Sequence, residues 1–163
     1  MSSAERDQRA ENLAHLDRID SELAEYLREG IAGGLGAKPP REAPSRAGPP
    51  VVYADTGAAF HSVYDPVGEA RRLVDGAAHD VIILVGAGLG YTIEEAARRF
   101  PASRLIVVEP DVSIFLHLIT RRAVARWVET SDVRFFVGEP PENITRALEG
   151  TARLQTRIRY FTP

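Results

Sequence analysis

The sequence predicts an α/β fold built on a partly parallel sheet with flanking helices, and three observations carry the expectation. Largely apolar five-residue runs recur: VIILV from Val81, RLIVV from Arg104 and VRFFV from Val133. Between them lie segments with apolar residues three and four apart, the period of a helix with one buried face. The first run passes straight into the glycine-rich loop GAGLG and then into a helical segment. Strands that are apolar throughout, alternating with helices, read as a parallel sheet covered on both sides, a Rossmann-like unit.

The elements follow in order. Leu13, Leu16, Ile19, Leu23, Tyr26 and Leu27 share one helical face, so residues 1–30 are expected to hold an N-terminal amphipathic helix, with Gly30 as its stop. Residues 31–50 read as a Gly/Pro-rich linker, because Gly and Pro supply nine of the twenty residues and no apolar period survives. Residues 51–163 form the Rossmann-like domain. Within it VVYA from Val51 is a short strand, residues 66–75 a helix with Asp65 as N-cap and Pro66 in its first position, and VIILV a buried strand. Residues 91–100 read as helix, RLIVV as strand, 112–120 as helix and VRFFV as strand. A short helix at 144–148, with Asn143 near its start, and a fourth strand in RIRYF complete the series. A sheet this short has an edge to be covered by a partner, by the N-terminal helix or by a longer architecture.

Composition narrows the function. The chain has 163 residues, 44% hydrophobic and 26% charged, the balance of a folded globular domain. A net charge of −3 gives no global field for nucleic acid or anionic lipid. Cysteine is absent, which excludes disulfides, thiolate zinc sites and thiol nucleophiles. The charged N-terminus does not match a signal peptide and no apolar run approaches the roughly 20 residues of a membrane span, so the expected location is cytoplasmic. One Lys (Lys38) against nineteen scattered Arg residues points to no particular chemistry.

The glycine loop is the strongest candidate for chemistry. Gly86, Gly88 and Gly90 stand at the carboxyl end of a strand, where backbone amides at a helix N-terminus can approach an anion. The dinucleotide fingerprint G-x-G-x-x-G fails, since Tyr91 stands where its third glycine belongs. The pattern G-x-G-x-G resembles the loop of class I S-adenosylmethionine-dependent methyltransferases. Glu109, nineteen residues after Gly90, ends the next strand where a carboxylate can accept both ribose hydroxyls of a nucleoside. In those enzymes an acidic residue stands two positions before the first glycine; here it is Leu84. The competing reading is that the glycines only turn the chain and that Glu109 caps the helix opened by Pro110. Gly86, Gly88, Gly90 and Glu109 are therefore the candidate cofactor-binding residues, with the cofactor itself unidentified. Glu139, after the third long strand, is a weaker candidate for the same crevice.

Elsewhere the titratable residues read as structural. His61 and Ser62 are neighbours in an extended segment and face apart, so they make no catalytic pair, and Tyr64 can bury its ring while its hydroxyl stays hydrogen-bonded. His15, His79 and His117 lack metal-ligand spacing, and Asp75 and Asp132 read as solvent-facing loop residues.

A second resemblance covers most of the chain apart from the linker. ENLAHLDRIDSELAEYL, FHSVYDPVGEARRLVD, ILVGAGLGYTIEEAARRFP and LIVVEPDVSIFLHL, in that order, resemble the N-terminal Rossmann-like domain of the motility accessory factor (Maf) family. That resemblance implies a part in flagellin glycosylation, with transfer of nonulosonic, sialic-acid-like sugars from a CMP-activated donor to Ser or Thr. It also implies a nucleotide or nucleotide-sugar ligand and a protein partner, flagellin or a glycosylation enzyme. Maf-like proteins are much longer, their sugar-transfer core follows this domain, and no family catalytic residue has a matching position here. Three functions therefore compete: a Maf-type N-terminal module, a small methyltransferase using the GAGLG loop and Glu109, and a non-catalytic interaction module that assembles, as a homo-oligomer or with a partner, through the N-terminal helix.

Overall fold

The computed structural model describes residues 1–76, 80–151 and 158–161. Its central sheet has four strands in the order β5-β4-β3-β6. They are β3 (Val81–Val85), β4 (Arg104–Glu109), β5 (Asp132–Val137) and β6 (Ile158–Phe161). Every pairing is parallel: Val81 lies opposite Arg104 and Ile158, and Arg104 opposite Asp132. The chain steps from β3 outward through β4 to β5 and returns to add β6 on the other side of β3. The order therefore reverses at β3 and β6, the place where open α/β sheets present a crevice at their carboxyl ends.

Burial on both faces explains why the strands are apolar throughout. Ile82, Leu84, Leu105, Val107, Val133, Phe135 and Val137 face the larger core. Val81, Ile83, Ile106, Val108 and Phe136 face the smaller one, onto which Ile144 packs. Ile144 belongs to α7 (Pro141–Thr151). The larger core is closed by α4 (Tyr91–Arg99), α5 (Val112–Arg121) and α6 (Ala125–Thr130), with Phe115 meeting Phe135 edge-on at 5.1 Å. Each large aliphatic or aromatic side chain removed from water there contributes about 1.5–3 kcal/mol before conformational entropy is counted.

The N-terminal region differs from the single helix the spacing predicts. It forms α1 (Ser3–Ile19) and α2 (Ser21–Ala32). Ser2 and Glu5 make a reciprocal capping box at the start of α1. Asp20 ends α1 and caps α2 by accepting the Leu23 N–H at 3.0 Å. The bend sorts the predicted apolar face: Leu16, Leu23 and Leu27 are buried, while Ile19 and Tyr26 stay 47% and 46% exposed. The helix pair docks on its own domain, α1 packing against α5 and α6. The lock is Asn12, fully buried, whose amide donates to the Ile119 and Arg122 carbonyls at 2.6 and 2.7 Å and accepts the Ala125 N–H at 3.0 Å. One side chain thus satisfies the end of α5 and the start of α6.

The Gly/Pro-rich stretch also acquires order. β1 (Arg41–Pro44) pairs antiparallel with β2 (Pro50–Tyr53), the strand read from VVYA, in a separate two-stranded sheet. Glu42 ties this hairpin to α5, contacting His117 Nε2 at 2.9 Å and accepting from Arg121 at 2.8 and 3.2 Å, while Arg121 also reaches Glu5 at 2.8 Å. The next helix, α3 (Pro66–Leu73), is capped by Asp65, which accepts the Gly68 N–H at 2.8 Å, as the sequence predicts. Among the described residues no helix is long and apolar enough to cross a membrane.

Candidate functional site

The glycine loop lies where the sequence places it, between the carboxyl end of β3 and the first turn of α4. Gly86, Gly88 and Gly90 all have positive φ, +86°, +50° and +73°, a region that side chains make costly. Gly90 is also the N-cap of α4, and a Cβ there would run into the ring of Trp127. A Cβ on Gly88 would run into the imidazole of His61. Gly88 and Gly90 are required both by their own backbone and by side chains packed against them, and Gly86 by its backbone.

The loop amides are turned toward protein acceptors. Gly86 donates to the Val108 carbonyl at 2.8 Å, Ala87 to Glu109 Oε2 at 2.7 Å, Leu89 to His61 Nε2 at 2.8 Å and Gly90 to the Ala87 carbonyl at 2.8 Å. The Gly88 amide also bears on the Glu109 carboxylate. The second carboxylate oxygen of Glu109 accepts the Asp111 N–H at 2.9 Å. With Glu109 only 2% exposed, its carboxylate spans the loop after β3 and the turn after β4. The expected capping role falls elsewhere: α5 starts at Val112 and its N-cap is Asp111, which accepts the Ser113 N–H at 2.8 Å.

Electrostatics follow from this enclosure. Burial raises the Glu109 carboxyl above its ordinary range, the Asp111 and loop N–H groups pull it back, and the Asp111 charge adds to the rise. Burial, helped by the Arg122 charge, lowers His61 to about 4. His61 is therefore neutral near pH 7, and since Nε2 accepts from Leu89 its proton sits on Nδ1. Its ring meets Tyr91 edge-on at 5.1 Å, and the Tyr91 hydroxyl donates to the Pro50 carbonyl at 2.8 Å. Arg122 lies over the Tyr91 ring at 4.9 Å and pairs with Glu94.

The structure brings Gly86, Gly88, Gly90 and Glu109 together, and adds His61 and Trp127 as packing partners. His61 and Ser62 do separate work, as expected: the Ser62 hydroxyl accepts the Tyr64 and Asp65 amides at 3.2 and 3.3 Å. Tyr64 does not bury its ring; it is 58% exposed beneath the Arg46 guanidinium. Its neighbours Ser62 and Asp65 take up the turn, leaving the ring outside. Leu84, at the acidic position of the methyltransferase pattern, is buried in the larger core. Glu139 sits beyond β5 and accepts from Asn143 at 2.7 Å. His15 lies 3.4 Å from Glu129, while Asp75 and Asp132 are exposed and paired with Arg99 and Arg104. His79 falls outside the described residues. Trp127 carried no signal in the sequence beyond being the sole tryptophan, because its contact with Gly90 joins elements 37 residues apart.

Fold and site together define a Rossmann-like α/β domain whose glycine loop is held by its own side chains. The fold is similar over 97% of the chain to a MAf glycosyltransferase from Magnetospirillum magneticum AMB-1, with a TM-score of 0.61 and 14% identity, and the likeness spans 32% of that protein. In sequence, 118 residues are 26% identical to a protein of Treponema pallidum (strain Nichols) described only as uncharacterized, covering 69% of this chain and 40% of that protein. The chain thus spans less than half the length of either. No protein-family model matches it.

Proposed function

We propose that this chain is the N-terminal Rossmann-like module of a Maf-type glycosyltransferase system and serves protein glycosylation, with flagellin as the acceptor and a nonulosonic acid as the sugar, in the cytoplasm. The observation that carries this reading is the fold likeness, which covers 97% of the chain. The module's part is to hold a partner or a nucleotide-sugar ligand rather than to perform transfer, because the groups nearest the crevice are committed to structure: His61 to Leu89, Glu109 to Ala87 and Asp111. The test is deletion of the coding region for this chain in its host, followed by intact-mass measurement of flagellin. Loss of the sugar mass is the expected result, and an unchanged mass rejects the reading.

Nucleoside binding by Gly86, Gly88, Gly90 and Glu109 is the second reading, favoured by the position of the loop at the point where the strand order reverses. It requires a ligand to compete with His61 and Glu109 for the loop amides. Calorimetric titration with CMP, a CMP-nonulosonate and S-adenosylmethionine separates the possibilities. Binding of S-adenosylmethionine alone favours the methyltransferase, and no binding leaves the loop as a structural brace.

A further inference from the structure

Among the described residues, the outer side of β5 is the end of the sheet. The Gly138 N–H donates inward to the Glu109 carbonyl of β4 at 2.9 Å. Successive residues of a strand turn their main-chain groups to opposite sides, so Phe136 and Arg134 also face β4, and Val133, Phe135 and Val137 present their N–H and C=O groups outward. These three have no strand beside them among the described residues. β5 contains no proline, one of the devices by which proteins blunt an edge.

A groove of about 1020 Å³ runs along this edge. Its far wall is the bend between α1 and α2, including Ile19 and Tyr26, two of the few large hydrophobic side chains left exposed. Its lining is mostly acidic: Asp20, Glu22, Asp132 and Glu139 stand against Arg134, and since Asp132 is paired with Arg104 and Asp20 caps α2, Glu22 and Glu139 carry most of the open negative charge. A second copy of the chain placed edge to edge would bring two such acidic linings together, which disfavours self-pairing. A cationic strand meets no such penalty.

We propose that the β5 edge accepts an extended segment of a partner protein that alternates apolar and basic residues. The segment adds a fifth strand by main-chain hydrogen bonds to Val133, Phe135 and Val137, seats apolar side chains against Ile19 and Tyr26, and turns Lys or Arg toward the groove carboxylates. This inference stands on the sheet edge and is independent of the glycosylation reading.

The test is fluorescence anisotropy of the full chain with a fluorescein-labelled heptapeptide alternating Lys and Val. Two controls accompany it: a peptide with Glu in place of Lys, and the Lys peptide with alternate backbone amides methylated. Saturable binding of the first is expected, with each control weaker by about tenfold or more. The double variant Glu22→Lys/Glu139→Lys should weaken the Lys peptide by about tenfold and strengthen the Glu peptide, with an unchanged far-ultraviolet spectrum confirming its fold. Absence of saturable binding overturns the proposal, and equal binding of the methylated peptide reduces it to charge adhesion. Sedimentation as a dimer that Tyr26→Ala converts to a monomer assigns the edge to a second copy instead.

Discussion

The loop after β3 and the outer edge of β5 belong to one sheet and handle their polar groups in opposite ways. At the loop, the amides from Gly86 to Gly90 bear on acceptors from β4, the loop itself and His61, and Trp127 closes the space over Gly90. Along β5, the main-chain groups of alternate residues face a groove. The glycine loop, the most motif-like stretch of the sequence, is thus among the most internally satisfied parts of the fold. The stretch DVRFFV, which matches no motif, has no strand on its outer side among the described residues. Glycine permits a close approach without specifying what approaches, and here it is the protein's own His61 and Trp127.

The contrast breaks most visibly at Gly90. Gly90→Val combines a β-branched residue at φ +73° with a Cβ driven into Trp127, and should destabilise the protein by about 3–5 kcal/mol in urea titration. A loss below about 1 kcal/mol would mean that the loop is loosely held and open to a ligand.

Next in size is a pH effect. His61 has its folded pKa lowered from 6.5 to about 4, so between those values the unfolded chain binds more protons and stability is lost as pH falls. Glu109 acts in the opposite sense: its folded pKa is raised above 4.5, and stability is gained as pH falls toward 4.5. His61→Gln keeps an acceptor for the Leu89 amide but does not titrate. Relative to wild type it should remove up to about 3 kcal/mol of the acid-side loss between pH 6.5 and 4, measured by urea titration at a series of pH values. Parallel curves for the two proteins would show that the imidazole is not enclosed.

Much of this arrangement was legible in the sequence. VIILV coincides with β3, and α4 begins at Tyr91, directly after the glycines, because continuous apolarity and an apolar helical period are local signals. The Asp65 cap and the proximity of Glu109 to the loop follow from the strand-loop-helix pattern. What escaped depends on contacts distant in sequence. The first ten residues of α1 show little apolar period because that stretch is anchored by Asn12, a polar residue whose burial is intelligible only with α5 and α6 in place. The hairpin of β1 and β2 hides in proline-rich sequence, and Glu42 fastens it to α5, a contact between residues 79 apart. That β5 is an edge among the described residues cannot be read from β5 at all, because an edge is defined by the strand that is not beside it.

Glu109→Gln sharpens the comparison with a smaller effect. The amide keeps the shape but turns a donor toward one of the N–H groups the carboxylate accepts from, at Ala87 or Asp111, and it relieves the cost of a buried charge. The net loss should be about 1–2 kcal/mol at pH 7. As a brace, Glu109 affects melting alone. A weakened nucleoside affinity, on the order of ten- to a hundredfold, would instead assign it to ribose.

The smallest effect is expected at the open edge. Glu22 and Glu139 are exposed, and Glu139 accepts an exposed hydrogen bond from Asn143. Surface changes of this kind move stability little, so Glu22→Lys/Glu139→Lys should melt within about 2 °C of wild type. That near-silence is informative beside Gly90→Val, since both sites border the same sheet. If the lysines lower the melting temperature by 5 °C or more, on the order of a kcal/mol or two, the carboxylates are structural and β5 is closed in the same manner as the glycine loop. If they leave melting alone yet change what the edge binds, the acidic lining serves a partner, and the sheet keeps its structural bonding at the carboxyl end of β3 and its free bonding capacity along β5.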